Sequence, residues 1–279
     1  MRRKVWGKNI SMAKNRSIQE VLPETYQAQG LQRLWRAHSD AVNKALLKRW
    51  MPTGLVERLL KTDLFDEAAT DGLYPFLTLH AKQIIGMDLS FSIVRTAGLH
   101  HPHLQAIETD VRCLPFQDGT FDTIVSNSTL DHFKSSDDIP ISLRELYRVL
   151  RPGGQMILTL DNLANPVIFI RSRLPFRFLH RFRIVPYYVG ATCGPTGLRA
   201  ILAEVGFKLI EVDTIMHCPR VLAVLLARWI EKNTGSDLQR RYLRFLNVFE
   251  CLSRLPTRFL TGYFIAVRAI RPFPEVVPV

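Results

Sequence analysis

The stretch Ile84–Ser90 constrains the fold more than any other part of this sequence. Its apolar run is too short for a helix, ends in Asp88 and continues into small and polar residues. That pattern is typical of a buried parallel strand whose carboxyl end opens into a ligand crevice. An acid at such a strand end can accept two hydrogen bonds from a ribose diol. A second acid, Asp110, closes the run Leu104–Thr109 twenty-two residues later. The alternative is that both carboxylates are solvated loop residues.

Strands and helices alternate along the middle of the chain. The sequence predicts strands over Val56–Phe65, Thr123–Ser126 and Gln155–Leu160, and helices over Leu73–Ala81 and Ile141–Leu150. Such alternation predicts an α/β fold with a parallel sheet and right-handed crossovers.

The amino-terminal part has a different character. Residues 1–29 show little periodicity, so we expect a partly ordered arm there. Apolar residues recur at mostly helical spacing over Leu31–Trp50, and Ser39 is a plausible cap in the middle. We therefore expect one helix or two in this range, followed by a break at Pro52.

Charge is distributed unevenly along the chain. The net charge is +12, yet the range Thr62–Glu145 contains thirteen acids and only five bases. The basic flanks would favour an anionic partner, such as a phosphorylated or carboxylated substrate, nucleic acid or an anionic membrane surface. A merely solubilising surface explains any one basic cluster equally well.

The cysteines and the apolar runs bear on the compartment. Four cysteines are scattered without C-x-x-C spacing, which favours reduced thiols and a cytoplasmic protein. The longest apolar candidate, Val221–Ala227, is too short to span a bilayer.

The range Val167–Arg183 interleaves aromatic and basic residues. Five arginines and four phenylalanines fall between Phe169 and Arg183, with no acid. A helical lid with inward-packed aromatics is one interpretation. Contact with a membrane or an amphiphilic substrate is the second, and base stacking on nucleic acid is the least favoured third.

Four motifs then appear in a fixed order. They read I-I-G-M-D-L-S, T-D-V-R-C-L-P-F-Q-D-G-T-F-D, S-N-S-T-L-D-H-F and E-L-Y-R-V-L-R-P-G-G. Together they resemble the class I S-adenosylmethionine (SAM)-dependent methyltransferases, closest to the small-molecule group that includes quinone-biosynthesis enzymes. The resemblance covers Val56–Pro166. It implies a Rossmann-like, seven-stranded, mostly parallel sheet with an antiparallel final pair, which Phe207–Asp213 and Tyr263–Arg268 fit.

The resemblance also implies SAM as the cofactor and assigns roles to residues. The position of Asp88 binds the ribose hydroxyls, and Asp110 matches the carboxylate near the adenine amino group. Leu89 and Val111 match apolar neighbours of the adenine ring, and Asn127 lies beside the methionine moiety.

The first motif departs from the family pattern. Where the family has an acid followed by spaced glycines, this chain has Lys61–Ala68, with no glycine until Gly72. Either this turn takes another path, with Asp63 or Glu67 meeting the cofactor ammonium group, or SAM binding is lost. We expect the first outcome. The cofactor-binding candidates in the turn are Thr62, Asp63, Phe65 and Glu67.

Methyl transfer needs a base only when the acceptor is a hydroxyl or an acidic carbon. His132, just after the fourth strand, is the best candidate, with Asp131 as the residue that orients it. The alternative for His132 is a structural neighbour of the cofactor. No metal site is predicted, because Cys193, His217 and Cys218 are poorly spaced as ligands. Tyr187, Tyr188 and Thr192 are pocket-wall candidates.

These observations favour a SAM-dependent methyltransferase that acts on a small or amphiphilic metabolite, of which an anionic metabolite is one alternative. The alternative is a non-catalytic binding or scaffold protein of the same fold that has lost SAM binding. We predict an arm and cap helices over 1–52 and a SAM-binding, Rossmann-like core over 53–166. The substrate lid, insertion helices and final strands of the same domain would occupy 167–279. Peripheral membrane contact is a further alternative, and nucleic acid is the less favoured partner.

Overall fold

One seven-stranded sheet organises the chain. The structure, a computed structural model, describes residues 32–174, 181 and 190–274. The strand order is β3-β2-β1-β4-β5-β7-β6, and β7 runs antiparallel to the other six strands. This confirms the predicted α/β fold with a seven-stranded, mostly parallel sheet. The strands are Val56–Lys61 (β1), Ala81–Asp88 (β2), Gln105–Glu108 (β3), Phe121–Asn127 (β4), Leu150–Asp161 (β5), Lys208–Ile215 (β6) and Phe264–Ile270 (β7).

Helices cover both faces of the sheet, because alternate strand residues pack on opposite sides. Along β5, for example, Met156 and Leu158 belong to one apolar core and Ile157 to the other. None of the described helices is long and apolar enough to cross a membrane. The helices are Arg33–Trp50 (α1), Phe65–Ala69 (α2), Tyr74–Leu77 (α3), Phe91–His100 (α4), Asp138–Val149 (α5), Pro166–Arg173 (α6), Pro195–Val205 (α7), Arg220–Asn233 (α8), Ser236–Val248 (α9) and Arg258–Thr261 (α10), with 3₁₀ turns at Leu130–His132 and Phe249–Arg254.

Of the two arrangements expected over Leu31–Trp50, the single helix is observed, because α1 buries one continuous stripe that includes Leu34, His38 and Val42 on both sides of Ser39. Two other local predictions were wrong. The helix predicted over Leu73–Ala81 is confined to Tyr74–Leu77, because Ala81 already begins β2. The strand predicted over Val56–Phe65 ends earlier, at Lys61, since Phe65 already begins α2. The arm over 1–29 lies outside the described residues, and the domain boundaries stay a prediction.

The parallel strands bring four chain positions to one edge of the sheet. Lys61 pairs with Gly86 in β2 and Val125 in β4, and Asn127 pairs with Thr159 in β5. The carboxyl ends of β1, β2, β4 and β5 therefore lie side by side. This is the edge at which open α/β sheets bind ligands.

Candidate functional site

The turn after β1 is closed by a buried ion pair. Lys61, 2% exposed, places Nζ 2.8 Å from Oε2 of Glu67, which is fully buried. Nζ also donates to the carbonyl oxygen of Asp63, and Oε1 of Glu67 accepts from the Leu73 amide at 3.0 Å. Burial lowers the pKa of Lys61, but Glu67 and Asp63 outweigh it and raise that pKa overall. Burial raises the pKa of Glu67 to about 7, although Lys61 opposes the shift.

This pair corrects one expectation for the first motif. The Glu67 carboxylate was a candidate partner for the cofactor ammonium group, but it lies inside the protein and faces Lys61. Asp63 is a quarter exposed, so of these two candidates it is the one that a ligand can reach. Phe65 is half-buried, with the Arg36 guanidinium 4.5 Å from its ring centroid.

Leu64 fills the space that a glycine-rich turn would leave open. Its side chain is fully buried against β2, where a Cβ on Gly86 would lie only 2.4 Å from Leu64 Cδ2. Leu64 in the turn therefore requires a residue without a side chain at position 86 of β2.

Gly86→Ala is expected to lower the free energy of unfolding by about 1–3 kcal/mol, because the new methyl group overpacks a filled core position. Denaturant unfolding measures the loss. In a Leu64→Ala background the same substitution should cost clearly less, since the clash is then absent. Equal costs in both backgrounds would mean that the Gly86–Leu64 contact does not constrain the turn.

Asp88 lies where the first turn meets the end of β2. Its Oδ2 accepts from the Leu64 amide at 3.2 Å and its Oδ1 from the Ser90 amide at 2.9 Å. Burial, with a contribution from Asp63, raises the pKa of Asp88, while the two amide donors act in the opposite direction. The carboxylate is thus held in one orientation. The following Leu89 is 69% exposed and offers an apolar surface beside it.

Asp110 lies in the segment after β3, which a hydrogen bond joins to the end of β2, but its carboxylate is already engaged. The Thr109 amide donates to the Asp88 carbonyl at 3.1 Å, which fixes the two segments together. Both Asp110 oxygens accept hydrogen bonds from the Arg112 guanidinium, with a shortest contact of 2.6 Å. The hydrogen bonds from Arg112 lower the pKa of Asp110. Val111 is 5% exposed and packs into the core.

A chain of hydroxyl groups joins the ends of β1 and β4. Thr62 is 2% exposed, and its Oγ1 lies 2.9 Å from Ser126 Oγ and 2.8 Å from Thr129 Oγ1. Beside it, Asn127 Oδ1 is buried and has no hydrogen-bond partner among the described residues. An unpaired buried oxygen is costly unless a ligand supplies a donor.

Asp131 and His132 follow β4 on its 3₁₀ turn. Asp131 Oδ2 accepts from Ser128 Oγ at 2.7 Å and from the Asp161 amide at 3.0 Å. Its other oxygen, Oδ1, lies 3.8 Å from His132 Nε2. Asp131 is buried, whereas half of the His132 side chain is exposed. The 3₁₀ turn thus places the half-exposed His132 side chain beside the buried Asp131 carboxylate, which two hydrogen bonds hold in position.

A second buried network was missed from the sequence. Asp161, the last residue of β5, forms an ion pair with Arg171 of α6. Arg171 Nη1 also donates to the Tyr263 hydroxyl at 2.6 Å. Burial and the neighbouring Asp131 raise the pKa of Asp161 to about 6, against the opposing effect of Arg171. The sequence does contain a pattern that could have pointed to Asp161, because this residue ends an apolar strand just as Asp88 does.

At Gly190 the backbone packs against the 3₁₀ turn Leu130–His132 that follows β4. The Gly190 amide donates to the Asp131 carbonyl at 2.8 Å, and a Cβ at this position would lie 1.9 Å from the Phe133 carbonyl oxygen. Only glycine permits this approach. Thr192 follows and donates its hydroxyl to the Asp161 carbonyl. Tyr187 and Tyr188, the other pocket-wall candidates, lie outside the described residues.

His217 and Cys218, the residues considered as metal ligands from the sequence, lie in ordinary protein surroundings. His217 Nδ1 lies 2.8 Å from Thr261 Oγ1, and Nε2 lies 3.1 Å from the Thr214 carbonyl oxygen. Burial raises the pKa of the Cys218 thiol to about 12. Within the part of the chain that the structure describes, three or more His, Cys, Asp or Glu side chains nowhere group as metal ligands would.

Comparison with known proteins supports the same fold. Residues 68–158 match the family model described as "Methyltransferase domain". The demethylmenaquinone methyltransferase of Streptomyces avermitilis is 34% identical over 96 residues, which are 34% of this chain and 39% of that protein. The 2-phytyl-1,4-naphtoquinone methyltransferase of Nostoc punctiforme is 37% identical over 115 residues, which are 38% of this chain and 47% of that protein. The chain thus spans less than half the length of these two relatives.

A solved structure extends the fold likeness beyond the matched segment. Phosphoethanolamine N-methyltransferase 2 of Haemonchus contortus, in complex with S-adenosyl-L-methionine, has a TM-score of 0.59 at 20% sequence identity. The superposition covers 93% of this chain and 61% of that one. Together with the strand order, this likeness shows that the chain has the fold of that methyltransferase, and residues 68–158 are the segment that the methyltransferase-domain model matches.

Proposed function

We propose that this protein transfers a methyl group from SAM to a small or amphiphilic, anionic metabolite. The observation that carries the proposal is the Asp88 carboxylate, fixed by the Leu64 and Ser90 amides at the carboxyl end of β2. A pre-oriented carboxylate at this edge suits the two hydroxyl groups of a ribose.

Several residues fit the cofactor. Asp88 would accept from the ribose hydroxyls, and Leu89 would cover one face of the adenine. Asp63, an acid of the first turn whose side chain is a quarter exposed, suits the ammonium group of the methionine moiety. Asn127 Oδ1, buried without a partner among the described residues, offers a second acceptor at the end of β4.

Two features fit the cofactor less directly. The first turn contains the Lys61–Glu67 pair in place of glycines, so backbone approach must differ from the family pattern. Asp110 can accept from the adenine amino group only by sharing oxygens that Arg112 already occupies. Both features favour weaker binding than an open glycine-rich turn would give.

For methyl transfer the protein mainly has to align the acceptor with the methyl group of SAM. When bound, SAM supplies an electrophilic methyl group on a sulfonium ion. The chain's task is to hold the acceptor in line with that methyl group in a site shielded from water. His132, oriented by Asp131, would take a proton from a hydroxyl or an acidic carbon of the acceptor. The acceptor atom itself is left open.

The acceptor class follows from the surroundings of the site. Arg173 on α6, and the basic flanks of the chain, favour an anionic group. The relatives named for menaquinone and phytylnaphthoquinone precursors support an amphiphilic, ring-containing acceptor.

A second candidate is a non-catalytic protein of the same fold. The observation that favours it is again the first turn, because a buried ion pair occupies the place where the family approaches its cofactor. Cofactor binding separates the two candidates.

Isothermal titration with SAM tests the proposal. The wild type should bind, and Asp88→Ala should bind at least about tenfold more weakly, since a hydrogen bond to a charged group contributes about 1.5–3 kcal/mol. Asp122→Ala is the matched control: Asp122 also accepts a backbone amide, from Arg58 at 2.7 Å, but at the opposite end of the sheet. If the wild type does not bind SAM, the scaffold candidate replaces the enzyme.

A further inference from the structure

Helix α8 has apolar residues on two faces. Ala223, Ala227 and Ile230 form the buried face, which packs towards α1. The other face is also apolar and is half exposed or more, which is uncommon for a surface helix. Its residues are Val221, Leu222, Leu225, Leu226 and Trp229, at 50–61% exposure.

Helix α6 presents a second exposed apolar set, Val167, Phe169 and Ile170, at 44–58% exposure. The two helices meet around Tyr263. Its hydroxyl accepts from Arg171 of α6, and its ring centroid lies 4.7 Å from the guanidinium of Arg220, the first residue of α8. The last turn of α6 and the first turn of α8 therefore lie near Tyr263, whose neighbour Phe264 pairs with Asp161 at the carboxyl end of β5.

The charge on these two helices is almost entirely positive. Their one acid, Glu231, accepts from the Leu34 amide and is thereby turned towards α1. Exposed basic groups lie beside the apolar residues, notably Arg173 and Lys232. Leucine and tryptophan side chains flanked by Arg and Lys form the composition that suits the boundary between lipid headgroups and acyl chains. The bases on α6 and α8 are Arg171, Arg173, Arg220, Arg228 and Lys232.

We infer that the exposed apolar residues of α6 and α8, together with the exposed Arg173 and Lys232, form a surface that docks on a bilayer of anionic phospholipid. We call it the α6/α8 surface. The apolar side chains would enter the headgroup layer, and the cations would pair with lipid phosphates. The inference goes beyond the proposed reaction, because docking requires neither SAM nor turnover. Its consequence for the enzyme is that an amphiphilic acceptor can reach the carboxyl edge of the sheet without crossing water.

Co-sedimentation of the full chain with vesicles tests this inference. The probes are vesicles of phosphatidylcholine alone and vesicles in which part of it is replaced by phosphatidylglycerol. The wild type should bind the anionic vesicles, and the binding should weaken as salt is raised. The triple variant Leu222→Ser, Leu225→Ser, Trp229→Ser should bind at least about tenfold more weakly, since each side chain loses a favourable transfer to an apolar phase.

A matched control removes three other exposed leucines. Leu55, Leu79 and Leu99 are 53–73% exposed and lie outside α6 and α8, so their Ser variants should bind vesicles like the wild type. For charge, Arg173→Ser with Lys232→Ser should weaken binding, whereas Arg95→Ser with Arg199→Ser should not. Thermal unfolding confirms that each variant is folded.

Three outcomes would overturn the inference. The first is equal vesicle binding by the α8 triple variant and its leucine control. The second is no vesicle binding by a folded wild type. The third is a dimer in sedimentation velocity, without lipid, that the α8 triple variant abolishes, because a second copy would then cover the surface. Tight binding of mixed RNA without vesicle binding falls under the second outcome.

Discussion

Replacing Lys61 by methionine is expected to lower the free energy of unfolding by about 3–5 kcal/mol, the cost of removing one partner from a buried ion pair. Methionine keeps most of the side-chain volume, so the loss would report on charge rather than on a cavity. Glu67 would then be a fully buried carboxylate whose nearest cation is gone. Denaturant unfolding at neutral pH measures the change.

The dependence on pH gives this prediction a second readout. Burial already raises the pKa of Glu67 above its usual value of 4.5, and the loss of Lys61 would raise it further. A carboxyl group with a raised folded-state pKa binds its proton more tightly when folded, so the protein loses stability as pH rises from the unfolded to the folded pKa. The deficit of Lys61→Met relative to the wild type should therefore shrink as pH falls towards 4.5.

Two further variants make the test specific. Lys82→Met removes a lysine whose ion pair with Glu57 is exposed, and it should change stability by less than about 1 kcal/mol. Lys61→Met combined with Glu67→Leu should recover most of the loss, because no unpaired charge is left inside. A double variant as unstable as the single one would show that the charges are not the cause.

Replacing His132 by alanine is expected to reduce turnover roughly a hundredfold or more, if the acceptor is a hydroxyl or an acidic carbon. His132 follows β4 on the same turn as Asp131, and its Nε2 lies 3.8 Å from the buried Asp131 Oδ1. Affinity for SAM should be largely unchanged, because the loss would be in the transition state. The measurement is transfer of radiolabelled methyl from SAM to an acceptor found by screening quinols and related amphiphiles.

The control for this prediction is His103→Ala, an exposed histidine in the segment before β3, which should leave turnover unchanged. Asp131→Asn should lower turnover and alter its pH profile, as expected for a residue that acts through His132. If His132→Ala turns over like the wild type, the residue is a structural neighbour of the site and the acceptor needs no base.

Much of the fold could be predicted because the buried strands carry their own signals. Continuous apolar runs that end in Asp88 or Asn127 indicate parallel strands, and the parallel arrangement brings their ends together. The last two strands, which came from the family resemblance and not from local signals, were also placed to within about two residues, at Lys208–Ile215 and Phe264–Ile270. Periodicity and strand-end polarity are local properties, so the sequence displays them directly.

The interior of the first turn could not be predicted, because it depends on which charges face each other. The acids around Lys61 were apparent, but nothing in the spacing shows that Glu67 folds back onto that lysine. The same holds for Asp161 and Arg171, which pair between a strand and a separate helix. The ranges 175–180 and 182–189 lie outside the described residues, so the lid over them stays a prediction.

The turn after β1 also has a consequence for how such a sequence can change over generations. A chain that mutated towards the glycine pattern would have to lose both Lys61 and Glu67. Whichever residue changed first would leave the other charge buried without a partner. Leu64 and Gly86 impose the same kind of joint requirement, because a larger residue in β2 needs a smaller one in the turn. Intermediates that alter one member of either pair would be poorly populated as folded protein. These four residues are therefore expected to be inherited together by related sequences. A search for spaced glycines would miss such sequences.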